Sequence, residues 1–350
     1  MALLDWMSDY QDKLLGELHM PGSHDAGTSK GHIDLTWGGT NSNAATQTLT
    51  ILEQINVGTR FFDLRLKAKN KQVVAHHTTV GQGAFGNTGI DEVIKDASTF
   101  CLNHPTEIII FRISHTEPGT KADEIAIRSG GAALHKGTGN LCLKTLAEIS
   151  REGNLVMIFD DKKFKIDQTK GIHGYSKFKT TPNLAGIATC GCYSGTHKLD
   201  EVICNGLKGQ FEHNTKHGAR HEHLWQVYWQ KTYVNPLSTT GIQSGATKGA
   251  NLTLKDGKAH GGTHAATGYM ISLMKGLGGN ANTDYKLQSK ETKGIFTKTV
   301  VQPEVMYSTH AVRNFSLPNI FSYDFVNEET NKVIIRMNDQ SLQKVRDDNL

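Results

Sequence analysis

The sequence predicts an α/β fold in which buried strands alternate with helices. Short apolar runs that read as strands buried on both faces occupy residues 60–66, 72–75, 107–113 and 154–159. Helical patterns separate these runs, and strands joined by helices pair in parallel through right-handed crossovers. Strands that are apolar on both faces fit either a barrel or an open sheet covered by helices.

Two of the predicted helices have clear ends. Residues 46–57 place apolar side chains near one face and stop at Gly58, which favours a helix C-terminal cap. Residues 90–103 repeat this pattern and stop before Pro105, because the residue that precedes a proline disfavours the helical conformation. These helices provide the crossovers that a parallel sheet requires.

The chain is predicted to form a single domain over residues 1–350. No internal repeat and no linker of distinct composition divides it. Residues 1–160 carry the recognisable motifs, and residues 161–350 diverge, with long loop excursions rich in Gly, Thr, Asn and Lys. The strand pattern resumes near residues 319–326.

The composition is that of an ordinary globular protein, with 37% hydrophobic and 21% charged residues. A net charge of +4 gives no broad field for nucleic acid, so no nucleic-acid partner is expected. No apolar run is long enough to cross a bilayer. Residues 1–18 contain four acidic side chains, unlike a secretory signal, so cytoplasmic residence, export by another route and a missing leader all stay open.

Two predicted strands end in histidines. A Met-Pro-Gly-Ser turn brings His24 and Asp25 to a strand end, which is where barrel enzymes place catalytic groups. A second predicted strand, at residues 73–77, ends in His76 and His77, which point to opposite faces. Each feature in isolation is weakly specific, because adjacent histidines are often one exposed and one hydrogen-bonded side chain.

A third segment places a charged pair on a buried strand. Asp63 and Arg65 are two residues apart, so they point to the same side of the strand, beside bulky apolar neighbours. Burying such charges is unfavourable unless they have partners. A structural ion pair would explain this segment alone, whereas the three segments together indicate a functional site.

In this order and spacing, the three segments resemble the X-region motifs of bacterial phosphatidylinositol-specific phospholipase C. The similarity extends to Trp37-Gly38, to residues 103–110 and to residues 321–327. It is good over roughly the first 160 residues and thin from about 165 to 310. The resemblance implies a distorted (β/α) TIM-like barrel whose site lies at the carboxyl ends of the strands.

The resemblance also implies a role for each histidine and its supporting carboxylate. His24 matches the general base, and Asp324 matches the carboxylate that supports it. His77 matches the general acid, and Asp25 matches the carboxylate beside that acid. Two imidazoles with ordinary pKa values near ~6.5 can hold opposite protonation states near neutral pH, and a carboxylate stabilises the imidazolium.

Arg65 matches the phosphate-binding arginine of the family, and Asp63 matches an acidic residue near it. In the animal branch of the superfamily, an acidic residue at the position of Arg65 helps to hold calcium. The guanidinium would replace the metal here, since it is permanently charged and matches phosphoryl oxygens. We therefore expect no metal and no cofactor.

The implied activity is metal-independent cleavage of phosphatidylinositol, or of its glycosylated anchors, to diacylglycerol and inositol 1,2-cyclic phosphate. One alternative is a phosphodiesterase of the same fold that acts on another headgroup. Another is a non-catalytic module that binds phospholipid or sugar. The expected partner is a membrane phospholipid, contacted peripherally by a monomer that is secreted or delivered to the outside of the cell.

The sequence departs from the family's pattern at three positions, namely Thr78, Ser114 and Asp160. Asp160 stands where the resemblance implies an arginine that binds the inositol headgroup. Lys162 and Lys163 follow it and are the predicted substrate-binding residues, together with Trp37, because tryptophan suits the headgroup region of a membrane.

The best rival site is a histidine cluster, made of His213, His217, His221 and His223. Steps of four residues would line up three imidazoles on one helix face. The segment is polar, rich in Lys and Gly, and lacks the order His-Glu-x-x-His. A solvated helix or loop is therefore the preferred interpretation, with metal binding as the alternative.

Overall fold

The structure is a computed structural model of the chain. It describes residues 3–36, 44–79, 82–117, 119–160, 163–177, 186–193, 195, 199–217, 221–230 and 317–339. Between these last two ranges it describes the short segments 253–255, 258–260, 263–264, 267–268, 270–271, 285–287, 290–291, 300–301 and 305–307.

The strands in chain order are β1 (Met20–Ser23), β2 (Ile33–Leu35), β3 (Phe61–Lys69), β4 (Gln72–Thr79), β5 (Gln82–Gly89), β6 (Ile109–Ser114), β7 (Leu155–Asp160), β8 (His173–Lys177), β9 (Gly186–Tyr193), β10 (His223–Tyr228), β11 (Thr253–Lys255), β12 (Lys258–His260), β13 (Tyr285–Leu287), β14 (Lys290–Glu291), β15 (Val300–Val301), β16 (Val305–Tyr307) and β17 (Ile320–Tyr323). The helices are α1 (Ile51–Asn56), α2 (Ile90–Asn103), α3 (Ala122–Gly130), α4 (Leu146–Arg151), α5 (Leu199–His217) and α6 (Glu328–Ile335).

Eight parallel strands close into a barrel in the order β1, β3, β6, β7, β8, β9, β10 and β17, and β17 pairs with β1 again. Short strands of this kind leave no unpaired sheet edge once the barrel is closed. The predicted TIM-like barrel is confirmed. The last strand also lies where the sequence pattern resumed.

One part of the predicted alternation is wrong. Strands β4, β5 and β2 extend antiparallel from β3 as a ribbon, with no helix between β3 and β4. The cause is a two-residue turn in which Asn70 and Lys71 both have positive φ, at 48° and 67°. Two such residues give the turn that joins antiparallel strands without splaying them. His76 and His77 therefore lie within β4, which continues to Thr79, and do not end it.

The helix predicted at residues 46–57 is shorter than expected. α1 begins at Ile51 because the Thr50 side chain accepts a hydrogen bond from the backbone of Glu53, whose carboxylate accepts one in return from Thr50. This capping box fixes the start of the helix. α2 matches the predicted boundaries and begins with Asp91 and Glu92, which suit the positive end of a helix dipole.

The two faces of the barrel strands belong to different cores. Phe61 and Ile110 pack inside the barrel, in one buried cluster with the N-terminal 3-10 helix Trp6–Tyr10. Their chain neighbours Phe62 and Phe111 point outwards and pack against the helices. The N-terminal segment thus closes the amino end of the barrel, and the carboxyl ends of the strands carry the polar residues considered next.

Candidate active site

His24 follows β1 directly and lies between two carboxylates. Its Nδ1 is 2.8 Å from Asp324 Oδ1, in the loop after β17, and its Nε2 is 3.3 Å from Asp25 Oδ2. The side-chain nitrogen of Gln230, which follows β10, is 3.1 Å from the same Nε2. The ring is buried. Contact with Asp324 through Nδ1 leaves Nε2 as the nitrogen available for proton transfer.

The Asp25 carboxylate lies close to three of the predicted site residues, Arg65, His24 and His77. Its Oδ1 is 2.7 Å from Arg65 Nε, and its Oδ2 is 3.3 Å from His24 Nε2 and 3.7 Å from His77 Nε2. Burial raises the pKa of Asp25, but the neighbouring positive charges outweigh that effect and hold it below its usual value. Asp25 is therefore a buried anion at the centre of the cluster.

A close approach of β4 to the turn after β1 brings His77 to this cluster. A Cβ atom at Gly27 would lie 2.2 Å from Ala75 Cβ, so only glycine allows the two segments to meet. His77 Nδ1 is 3.1 Å from the carbonyl oxygen of Ala44. Since a carbonyl only accepts, Nδ1 carries a proton, and Nε2 carries one only when the ring is an imidazolium.

Asp63 lies deeper in the barrel than Arg65, on the same face of β3. Its Oδ1 accepts a hydrogen bond of 2.7 Å from Ser114 Oγ and is 4.0 Å from Arg112 Nε. Ser114 is one of the positions that depart from the family's pattern, and here it holds the carboxylate. Asp63 is thus part of a buried layer beneath the histidines.

The structure places only one of the predicted substrate-binding residues. Lys163 is exposed, and its ammonium donates a hydrogen bond of 3.1 Å to the backbone oxygen of Thr116, in the loop after β6. Trp37, Lys162 and the side chain of Asp160 lie outside the described residues. Lys163 therefore lies at the site's end of the barrel, bound to a neighbouring loop.

Two glutamines of the site were not predicted from the sequence. Gln230 contacts His24, as described above. Gln47 donates hydrogen bonds to the backbone oxygens of His24 and Tyr323, at 3.0 and 3.3 Å, and accepts one of 2.9 Å from Val326 N. It ties the segments that carry His24 and Asp324 together. A single glutamine gives no sequence signal for such a role.

The prediction that the histidine cluster is solvated is wrong for two of its members. His213 on α5 and His223 on β10 are both buried, with ring centroids 4.9 Å apart, because α5 packs across β10. His221 Nε2 is 3.5 Å from Glu17, and the side chain of His217 lies outside the described residues. Across the described part of the chain, no three potential metal-binding side chains come together.

The environment of His24 strongly favours its protonated form. Burial lowers the pKa of the ring, but the charges of Asp25 and Asp324 and the hydrogen bond to Asp324 outweigh this and raise it to about 9. The unfolded value is near ~6.5. Because the folded pKa is higher, the interaction stabilises the protein fully below ~6.5, and this stabilisation is lost as the pH rises through about 9.

Asp324→Asn is expected to lower the pKa of His24, because the variant removes one of the two carboxylates that stabilise the imidazolium. The measurement is a pH titration of the histidine rings by NMR, with the His24 signal assigned through its loss in His24→Gln. The wild-type midpoint should lie near 9, with a lower midpoint in the variant. A wild-type midpoint at or below ~6.5 contradicts this prediction.

Known proteins similar in sequence match part of the chain. A 1-phosphatidylinositol phosphodiesterase of Listeria monocytogenes is 32% identical over 109 residues, which is 31% of this chain and 32% of that protein. The Staphylococcus aureus protein of the same name is 33% identical over 110 residues, 30% of this chain and 32% of its own length. The predicted resemblance to bacterial phosphatidylinositol-specific phospholipase C is confirmed. The match spans only about a third of these relatives (32%).

The resemblance to these phospholipases extends to the whole fold. The L. monocytogenes phosphatidylinositol-specific phospholipase C superposes with a TM-score of 0.56 over 96% of this chain and 98% of its own, at 16% identity. A double mutant of the S. aureus phospholipase C gives 0.55 over 95% and 97%, at 15% identity. At such identities the likeness establishes the barrel fold alone. No family model matches the chain.

Proposed function

We propose that this chain is a metal-independent phosphodiesterase that cleaves phosphatidylinositol, including its glycosylated anchors, to diacylglycerol and inositol 1,2-cyclic phosphate. The observation that carries this proposal is the Asp25 carboxylate, which contacts Arg65 and lies within 3.3 and 3.7 Å of His24 and His77. Two imidazoles and a guanidinium thus surround one point at the carboxyl end of the barrel. The names of the relatives support the same reaction class.

In this mechanism His24 acts as the general base in its neutral form, and His77 acts as the general acid. Because the pKa of the His24 ring is raised to about 9, the fraction of molecules with a neutral ring grows as the pH rises towards that value. The headgroup hydroxyl next to the phosphate loses its proton to His24 Nε2, and its oxygen forms a bond to phosphorus. The bond from phosphorus to the diacylglycerol oxygen breaks, and that oxygen receives a proton from His77 Nε2. Each proton transfer is typically worth roughly 10²- to 10⁴-fold in rate.

Arg65 has the properties needed to stabilise charge on the phosphoryl oxygens. Its side chain is 23% exposed at the barrel mouth, and Nε is held 2.7 Å from Asp25 Oδ1, so the outer guanidinium nitrogens can face a ligand. A guanidinium stays charged and donates two parallel hydrogen bonds to oxygens of one phosphate. Charge that develops during attack is then stabilised without a metal ion.

We further propose that the chain acts as a single-domain monomer at the membrane surface, outside the cell that makes it. In the described segments no helix is both long and apolar enough to cross a bilayer. One S. aureus phospholipase C structure addresses modulation of that enzyme's membrane binding, which supports peripheral contact. The proposed substrate-binding residues are Trp37, Lys162 and Lys163.

An assay on vesicles of single phospholipids tests the substrate. Wild type is expected to release diacylglycerol from phosphatidylinositol and to give little turnover of phosphatidylcholine or phosphatidylethanolamine, whose headgroups lack a hydroxyl for internal attack. Detection of the cyclic phosphate by ³¹P NMR checks the product. Turnover of phosphatidylcholine or phosphatidylethanolamine alone would refute both the headgroup and the internal attack and would leave only the phosphodiesterase class, and turnover of none would favour a binding module.

Activity is expected to be unchanged, within about twofold, in excess chelator. The physical reason is that Arg65 supplies the positive charge at the phosphate, so no calcium has to be bound. The assay compares initial rates on phosphatidylinositol vesicles with EGTA, with EDTA and with added calcium. A loss of more than about tenfold that calcium restores would contradict this prediction.

A further inference from the structure

A polar layer lies inside the barrel below the proposed catalytic groups. Along β3 and β6, Asp63 is the register partner of Arg112, and Arg65 is the partner of Ser114 one level higher. Nearer the amino end the inward side chains are apolar. Arg65 belongs to the proposed phosphate site, whereas the proton transfers make no use of Arg112.

Arg112 is deeply buried, with only 3% of its surface exposed. Its Nη1 donates hydrogen bonds to Tyr228 Oη at 2.6 Å and to Gln226 Oε1 at 3.2 Å. The guanidinium carbon lies 4.2 Å from the centre of the Tyr175 ring. Its nearest carboxylate oxygen is Asp63 Oδ1, 4.0 Å from Nε, which is longer than a hydrogen bond.

Several buried donors at this level lack an acceptor. Within the described residues, Arg112 Nε, Gln226 Nε2 and Ser322 Oγ are buried and have no hydrogen-bond partner. Ser322 is the register partner of Tyr228 on β10, and Gln226 lies two residues before Tyr228 on the same strand. These groups therefore lie on neighbouring strands. Buried polar groups are normally paired. A cluster of unpaired donors beneath a substrate site indicates a ligand rich in oxygen.

The direction of one hydrogen bond determines what Tyr228 can offer. A guanidinium only donates, so Tyr228 Oη accepts from Arg112 and its own proton points elsewhere. Burial, opposed by Arg112, raises the pKa of Tyr228 to about 12, so the hydroxyl stays protonated. The Tyr228 ring lies edge-on to His24, with centroids 6.2 Å apart. Tyr228 is thus a hydroxyl donor beside the proposed base.

We propose that Arg112, Gln226 and Tyr228 form a subsite that binds the ring hydroxyls of a polyol headgroup directly below His24. The inference rests on the proposed function and names the residues that select its substrate. A neutral polyol fits better than a second phosphate, because the Asp63 carboxylate already balances much of the Arg112 charge at 4.0 Å. Headgroup hydroxyls would accept from the unpaired donors.

The test uses Tyr228→Phe, which removes the hydroxyl donor together with the acceptor of the Arg112 hydrogen bond and keeps the ring beside His24. The probes are free myo-inositol as an inhibitor and a soluble inositol phosphodiester as a substrate. Loss of one hydrogen bond should raise the inhibition constant and KM about tenfold each, with kcat changed less than about threefold. Tyr10→Phe is the matched control, since its hydroxyl bonds Asp339 at the closed end of the barrel, and both constants should stay within about twofold.

A second variant, Arg112→Lys, keeps the positive charge but loses the planar guanidinium and its paired donors. The inhibition constant of myo-inositol and the KM of the soluble diester should both rise. If both variants lower only Tm and leave both constants within about twofold of wild type, Arg112 is structural and the subsite is refuted. If wild type shows no turnover but binds myo-inositol in calorimetry, with tenfold weaker binding in Tyr228→Phe, the proposed function fails and the subsite stands. Absence of both turnover and binding refutes both.

Discussion

His24→Ala and His77→Ala are each expected to lower kcat on phosphatidylinositol by roughly 10²- to 10⁴-fold, because each removes one of two proton transfers. The double variant should fall by less than the product of the two losses, since residues that act as a unit are not additive. Initial rates on lipid vesicles measure this. His104→Ala is the control, since His104 contacts Asp5 near the amino end of the barrel, and kcat should stay within about twofold.

The two histidines are distinguished by the leaving group. A nitrophenyl ester of inositol phosphate has a leaving group that departs without protonation, so it does not need the general acid. His77→Ala should therefore recover most of its lost activity on this ester, whereas His24→Ala should remain impaired because the base is still required. Recovery by His24→Ala alone would reverse the two assignments, and recovery by neither would exclude His77 as the acid.

The barrel could be predicted from the sequence because its strands and helices have distinct periods. β6 and β7 lie within the apolar runs at residues 107–113 and 154–159, apart from one terminal residue each. The two-residue spacing of Asp63 and Arg65 placed both on one face of β3. The antiparallel ribbon was missed because its turn is Asn70-Lys71, without the glycine that usually marks such a turn.

The charged residues of the candidate site could be singled out from the sequence, whereas its neutral residues could not. His24, Asp25 and Arg65 stand in motifs, and the structure places them in contact. Gln47 and Gln230 act through amide groups that occur anywhere in a sequence. His223 was misjudged because the polar segment before it suggests solvent, whereas the strand that it begins is a buried strand of the barrel, covered by α5.

A buried ion pair at the amino end of the barrel has the largest expected effect on stability. Arg60 and Glu107 precede β3 and β6, and both side chains are fully buried, with 2.7 Å between Arg60 Nε and Glu107 Oε2. The other guanidinium donors bond four backbone oxygens, those of Leu3, Leu4, Ile55 and Thr59. Glu107 also accepts from Met7 N at 2.7 Å. The pair therefore links residues 3–10, which close the amino end of the barrel and are called the N-terminal plug here, to two barrel strands.

Arg60→Met is expected to lower the free energy of unfolding by about 3–5 kcal/mol, because it leaves the Glu107 carboxylate buried without a partner. Denaturant titration measures the change. The double variant Arg60→Met/Glu107→Leu should lose less than the sum of the single variants, since it buries no lone charge. The exposed pair Lys95 and Asp91 is the control, and Lys95→Met should change stability by less than about 0.5 kcal/mol. A loss below about 1 kcal/mol in Arg60→Met would mean that water reaches Glu107 and that the N-terminal plug opens without the pair.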